Sequence, residues 1–202
     1  VETNRSAITR TRVGQDPPVD LQAGQARLRG DAFGLTANNV TYAVFGDMLR
    51  YWEVFPALDS PTEWGRVPAW GFAEVVETRS DDVAVGERLY GFVPMSDELV
   101  ITPGKADTHG LTDVAAHRAG LFGTYNRYQR TASDPNYRAD REQEQMVLYP
   151  LFVTGFVIDD FLDDRADLGV EQLVLSSASA KTALAVAHAA HRRGVRVVGL
   201  TS

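Results

Sequence analysis

The chain has 202 residues, of which 44% are apolar, 23% charged and 9% aromatic, the mix of a folded globular protein rather than a disordered one. Against 27 Asp and Glu stand 20 Lys and Arg, giving a net charge of −7. With no basic tract, that balance argues against a protein that grips nucleic acid or an anionic membrane. Cysteine is absent, which excludes disulfides, thiol nucleophiles and thiolate metal sites, and His109, His117, His188 and His191 are too few for an imidazole-rich metal centre.

The polar start, Val1-Glu2-Thr3-Asn4-Arg5, has no apolar core of the kind a signal peptide needs. Residues 6–12 and 26–29 alternate apolar with polar and predict half-buried strands. Residues 73–77, 87–93 and 98–101 are further short strand candidates. Gly14, Pro17-Pro18, Gly24, Gly30, Gly86 and Pro103-Gly104 punctuate them, and the spacing suggests a barrel-like β domain. Residues 115–131 hold no proline and predict a helix that Gly120 and Gly123 weaken. The polar segment 131–145 reads as an exposed linker or insertion.

Residues 146–162 are mainly apolar and predict a buried helix with an irregular start at Pro150. The apolar run ending at Ile158 falls short of the roughly 20 residues that cross a bilayer, so a cytoplasmic protein is the default expectation. Asp159, Asp160, Asp163 and Asp164 then form its solvated end. Residues 172–177 predict a strand covered on both faces. A helix follows over 180–193, with Ser179 as its cap, Arg192 and Arg193 in its last turn and Gly194 just beyond. Residues 195–200 complete a βαβ unit, expected to be parallel and right-handed. One such unit cannot cover both faces of its strands, so an interrupted fold is the favoured reading, with completion by another chain as the alternative.

A β domain, a long helix and an opening βαβ, in that order, resemble the medium-chain dehydrogenase/reductase superfamily. Gly24 to Gly34 (GQARLRGDAFG) looks like its "G-x-V-x-V-x-x-x-A-x-G-L" strand, and Gly86 to Phe92 (GERLYGF) like its "G-D-R-V-x-G" turn. Pro68 to Val76 (PAWGFAEVV) stands at its glycine-containing entry to that region. The stretches LTANNVTYA from Leu35, WGFAE from Trp70 and LSSASAKTA from Leu175 resemble a poorly characterised bacterial branch of unknown function. The resemblance implies a GroES-like β-barrel domain over 1–145. It implies the opening of a Rossmann-type nucleotide-binding domain, truncated, over 146–202.

It also implies chemistry. Thr36 stands near the position where zinc alcohol dehydrogenases carry a cysteine, and no histidine precedes His109, so the likeness is to the zinc-independent, quinone or enone reductase side. The superfamily's phosphate-binding turn here reads Ser176 to Thr182 without glycine, leaving Ser177, Ala178, Ser179, Lys181 and Thr182 as cofactor ligands. A tight small-residue turn with a helix cap is the alternative. Thr201 and Ser202 end the second strand without an acidic residue, which leans toward NADP(H). Asn38, Asn39 and Tyr42 lie where the family lines its cleft, suited to holding a carbonyl oxygen; turn and core roles are the alternative.

Tyr125, Asn126, Arg127 and Tyr128 form a second polar-aromatic cluster, open to substrate lining or surface packing. Trp52, Trp64 and Trp70, with Tyr51 and Phe55, suggest an aromatic platform but fit core packing better. His188 and His191 share a helix face without a third ligand. The expectation is therefore a zinc-independent NADP-dependent oxidoreductase with a small-molecule substrate, no nucleic acid and no membrane partner, and a homodimer left open. The alternative is a non-catalytic binding or assembly protein that keeps the fold.

Overall fold

A computed structural model describes residues 1–201 and separates two units, Val1–Met146 and one beginning at Val147. The first unit opens with β1 (Glu2–Asn4) and β2 (Thr11–Arg12), followed by β3 (Ala26–Gly34), α1 (Ala37–Val44) and β4 (Trp64–Gly65). Then come β5 (Pro68–Thr78), β6 (Arg88–Pro94), β7 (Glu98–Ile101), β8 (Pro103–Gly104), β9 (Gly110–Asp113), α2 (Gly123–Asn126) and β10 (Arg127–Arg130). Seven strands pair antiparallel in the order β7-β3-β5-β6-β10-β9-β8, a nearly closed barrel-like sheet. A smaller sheet runs β2-β1-β4.

The core lies inside that barrel. Its largest fully buried side chains are Tyr90, Tyr128, Phe72 and Phe92, each contributing about 2–3 kcal/mol by leaving water. The Tyr128 ring lies over Gly91, where a Cβ would come within 2.7 Å of it. Its hydroxyl donates to the Phe92 carbonyl at 2.6 Å, and burial pushes the phenol up to about 12.

Three expected elements of the first unit differ. Residues 6–12 pair only at Thr11–Arg12, because the Asn4 side chain accepts the Ser6 and Ala7 N–H groups and turns the chain. The helix expected over 115–131 is a 3-10 turn at Ala116–Arg118, the single-turn α2 and strand β10. Gly120 takes φ +77° and ends the first turn, and residues 127–130 are claimed by ladders to β6 and β9. Tertiary pairing outweighs helix propensity there. The polar segment 131–145 carries two 3-10 turns, Thr131–Ser133 and Ala139–Arg141, and is fastened to the barrel.

That fastening is made by Arg88, which binds both carboxylate oxygens of Glu142 at 2.6 Å and pairs with Asp31 at 2.9 Å, while Tyr137 donates to Glu142 at 2.6 Å. The Arg88 hydrogen bonds hold the Glu142 carboxyl below its ordinary 4.5, against the opposing effect of burial. A carboxyl lowered on folding adds stability above its unfolded value, and that stability is lost as pH falls through the folded value. Glu142→Gln is expected to lower stability at pH 7 and to flatten its decline below pH 4.5, as read by urea melts across pH. An unchanged acid slope would remove this pair from the acid response.

Helix α3 (Glu142–Asp164) begins in the first unit and runs unbroken through Pro150. The irregular start expected at Pro150 is therefore replaced by an earlier start at Glu142. The buried helix expected over 146–162 is instead largely exposed: Leu148, Phe152, Phe156, Val157, Ile158 and Phe161 are each at least 40% accessible. With its leading turn, Ala139–Asp164 is long and apolar enough to cross a membrane by length and composition, which the shorter apolar run in the sequence did not suggest.

The second unit holds β11 (Gln172–Ser176), α4 (Lys181–Arg192) and β12 (Arg196–Leu200), with β11 and β12 parallel and in register from Gln172↔Arg196 to Ser176↔Leu200. Both strands keep accessible residues, so neither is covered on both faces within the unit. Gly155 lets α3 meet α4 closely, since a Cβ there would press on Ala185. Arg193 reaches Asp159 and Asp163 at 2.8 Å each, so two of the four aspartates expected as a solvated end are ion-paired.

Candidate functional site

Two constellations carry chemistry-bearing groups, one in each unit. In the first, a capping box starts α1: the Thr36 side chain accepts from Asn38 N–H, and Asn39 Oδ1 accepts the Thr36 N–H at 2.6 Å. Asn39 Nδ2 donates to the Pro68 carbonyl at 2.9 Å. Both ends of the Asn39 amide are thus engaged, and the residue is 5% exposed. Of the three cleft residues read from the sequence, Asn39 fastens α1 to β5. Asn38 and Tyr42 come together one helical turn on.

Tyr42 is buried, and its phenol sits higher than usual because burial disfavours the phenolate. Hydrogen bonds from the Trp70 indole and with the Asn38 side chain partly offset that rise. Its ring packs 4.6 Å from Tyr51 and edge-on to Phe92 at 5.6 Å. Tyr51 in turn hydrogen-bonds Tyr125, hydroxyl to hydroxyl, at 2.8 Å. Tyr125 stacks on Phe92 at 4.6 Å and 15°. The sequence named Tyr51, Trp70 and Tyr125 but placed none of them beside Tyr42. Their separation along the chain, 74 positions for the Tyr51–Tyr125 bond, left only their aromatic character as a signal.

A buried ion pair sets the segment that carries Tyr125. Arg118 Nε meets Asp113 Oδ2 at 2.9 Å, with side chains 2% and 1% exposed. Asp113 Oδ1 accepts the N–H groups of Thr102 and Ala115 at 3.0 Å each. Arg118 also donates to the Tyr125 carbonyl at 3.2 Å, and Asn126 donates back to the Arg118 carbonyl at 3.1 Å. The guanidinium lies 4.6 Å over the Phe55 ring. Tyr125 faces a half-open cavity of about 280 Å³ shared with Met48, Leu49, Arg50, Val54, Gly120, Leu121 and Phe122.

In the second unit the turn Ser177–Ala180 joins β11 to α4. Ser177 itself takes the left-handed conformation, φ +50°, at a place where glycine is the favoured residue. Ala178 N–H donates to the Leu200 carbonyl at 3.0 Å, and Gly199 leaves room for the Ala178 methyl. The helix cap is Ala180, with no side-chain hydrogen bond, rather than Ser179. The first-turn amides of α4 are therefore left without a side-chain cap, in an arrangement suited to an anion. Ser177, Ala178 and Ser179 make the turn, Lys181 and Thr182 begin the helix, and Thr201 follows β12. Ser202 lies outside the described residues.

His188 and His191 are both exposed on α4. Among the described residues no group of three or more His, Asp or Glu side chains is placed to hold a metal ion.

Comparison with known proteins adds a family and a fold. A family model described as a protein of unknown function (DUF2855) matches residues 33–202. No curated protein matches the sequence significantly. Among solved structures, the crystal structure of the JamJ enoyl reductase in its apo form superposes with a TM-score of 0.51 at 14% identity. The match covers 95% of this chain and 50% of that one, so the chain spans about half the reductase's length. At that identity the likeness is one of fold.

Proposed function

Because the chain belongs to the DUF2855 family of proteins of unknown function, whose description names no activity, we propose one from its site chemistry: a zinc-independent, NADP-dependent oxidoreductase of the medium-chain type that reduces an activated double bond or a quinone. In this reading the first unit is the GroES-like barrel and the second opens a Rossmann-type domain. The observation that carries it is the uncapped start of α4 behind a small-residue β11–α4 turn, following a barrel in a chain folded like an enoyl reductase.

The residues present fit a dinucleotide. The Ser179 amide, the hydroxyls of Ser177 and Thr182 and the Lys181 ammonium would hold a pyrophosphate, the Ala178 amide being spent on the Leu200 carbonyl, with Thr201 toward a 2′-phosphate. Bound there, the nicotinamide supplies the hydride. The chain's own contribution is electrostatic. The Asn38 amide and the Tyr42 phenol are donors for a carbonyl oxygen that gains negative charge. The raised phenol keeps its proton at neutral pH and is available as a general acid. Zinc independence rests on the sequence, which has no cysteine to take the family's zinc positions.

NADPH titrated into the full-length protein is expected to raise Tm and to change tryptophan fluorescence, with NADH weaker. At 100-fold above Kd the gain is about 2.7 kcal/mol. Lys181→Ala is expected to weaken NADPH roughly tenfold, the loss of one charge-assisted contact. No response at millimolar NADPH would sink the reading. One observation favours a second reading, a binding or assembly protein that keeps the fold: the turn has no glycine, and Ser177 carries the left-handed backbone itself.

A further inference from the structure

The cavity beside Tyr125 has a chemistry of its own. Met48, Leu49, Val54, Leu121 and Phe122 make its walls apolar. Its one charged residue, Arg50, is already engaged: the guanidinium meets Glu53 at 2.7 and 2.9 Å and donates to the Gly120 carbonyl at 3.1 Å. The cavity therefore offers no free charge to an ionic ligand. Its uncharged polar side chain is Tyr125, which is hydrogen-bonded to Tyr51. Two hydroxyls carry two hydrogens, and the single 2.8 Å bond between them uses one. The second hydrogen is left for another acceptor. Tyr51 is 6% exposed, whereas Tyr125 is half-buried and lines the cavity, so the spare donor is available on the Tyr125 side. Burial and the shared bond raise the Tyr51 phenol well above its ordinary value, which keeps the pair protonated at neutral pH.

We propose that this cavity binds a small, neutral, largely apolar compound through an acceptor oxygen taken by the Tyr125 hydroxyl, with Tyr51 as the positioning residue that orients it. The inference stands apart from the reductase reading, whose carbonyl donors Asn38 and Tyr42 do not line this cavity, and the binding it describes requires no cofactor. At about 280 Å³ the space lies at the lower edge of small-molecule cavities. That suits a single ring with a short substituent. A site built around a donor discriminates against ligands that leave it unpaired, so a hydrocarbon of the same shape should bind less well. Carboxylates should bind less well too, since Arg50 has no charge to spare.

Acetophenone, ethylbenzene and benzoate share a shape and differ in the oxygen: neutral acceptor, none, and anion. Ligand-observed NMR titrations of the full-length protein without cofactor are expected to rank acetophenone above the other two by roughly five- to tenfold, the worth of one hydrogen bond. Tyr125→Phe is expected to erase the gap to ethylbenzene. Tyr51→Phe is expected to narrow it while ethylbenzene affinity stays unchanged, which a purely structural role would not produce. Should either phenylalanine variant fold poorly, Met48→Trp tests the place, since Met48 is 75% exposed and a tryptophan there can fill the cavity from its rim. It is expected to abolish acetophenone binding. Equal affinity for acetophenone and ethylbenzene in the parent protein, preference for benzoate, no binding at millimolar ligand, or binding indifferent to Met48→Trp would each overturn the proposal. Failure of NADPH to bind would overturn the reductase reading and leave this ranking intact.

Discussion

Arg118→Met is expected to cost the fold about 3–5 kcal/mol, because it leaves the Asp113 carboxylate buried without its counter-charge. For a chain of this size that is a Tm drop of roughly 6–20 °C. Two backbone N–H groups still reach Asp113 Oδ1, so the loss falls on Oδ2. The same substitution removes the donor to the Tyr125 carbonyl and the cation over Phe55, so the segment bearing the Tyr51–Tyr125 bond should loosen with it. Asp113→Asn leaves the converse, an unpaired buried guanidinium, and should be comparably damaging. The pair's net worth is a separate quantity: Arg118→Met with Asp113→Leu should recover part of the loss, as coupled sites do. A single Arg118→Met variant melting within about 2 °C of the parent would show that water or a neighbour already compensates Asp113.

Gly71→Ala is expected to destabilise the barrel by about 3 kcal/mol. Gly71 sits in β5, opposite Phe33 in β3 and Gly91 in β6. A methyl there would run into the carbonyl oxygen of Ala32 and come within 2.6 Å of a Val93 methyl. The carbonyl belongs to the β3 bulge between Gly30 and Ala32, so backbone rather than a flexible side chain has to move. Gly123→Ala is the matched control, because nothing lies within 4 Å of its added methyl and its φ is not positive. It should be neutral or stabilise by up to about 1 kcal/mol. Chemical denaturation of both variants checks the contrast. Equal stability would mean that the β3–β5 ladder opens without cost at the bulge.

Elements with local signals were readable. The short strand candidate at 98–101 forms as Glu98–Ile101. The run 172–177 forms as Gln172–Ser176, and its parallel partner is Arg196–Leu200. Helix α4 and Gly194 beyond it likewise follow from an alanine-rich run, terminal arginines and a glycine at φ +78°. The segment 115–131 was not readable, because its outcome depends on β6 and β9 offering ladders that no local pattern announces. Pro150 misled as well, since it sits within a helix that continues on either side of it. Ser179 looked like a cap, yet the helix starts one residue on, at Ala180, whose methyl group offers no hydrogen bond.

The candidate site divides in the same way. Residue types alone exclude thiolate chemistry, and the small-residue turn before α4 marks an anion-suited helix start. Tyr42 and Asn38 stand four positions apart, and α1, a helix not expected from the sequence, brings them together by one turn. Tertiary packing alone decides that Asn39 is spent on Pro68 and that Tyr51 and Tyr125 share a proton donor. It also decides that Arg50 enters its cavity already neutralised. The reason is physical. Periodicity and capping act within a few residues, whereas burial, charge pairing and the second hydrogen of a hydroxyl pair depend on what the fold brings from far along the chain. The absence of cysteine bounds the chemistry available to this chain. The chemistry it presents is set where β5, β6 and the 115–126 segment close around a few polar side chains.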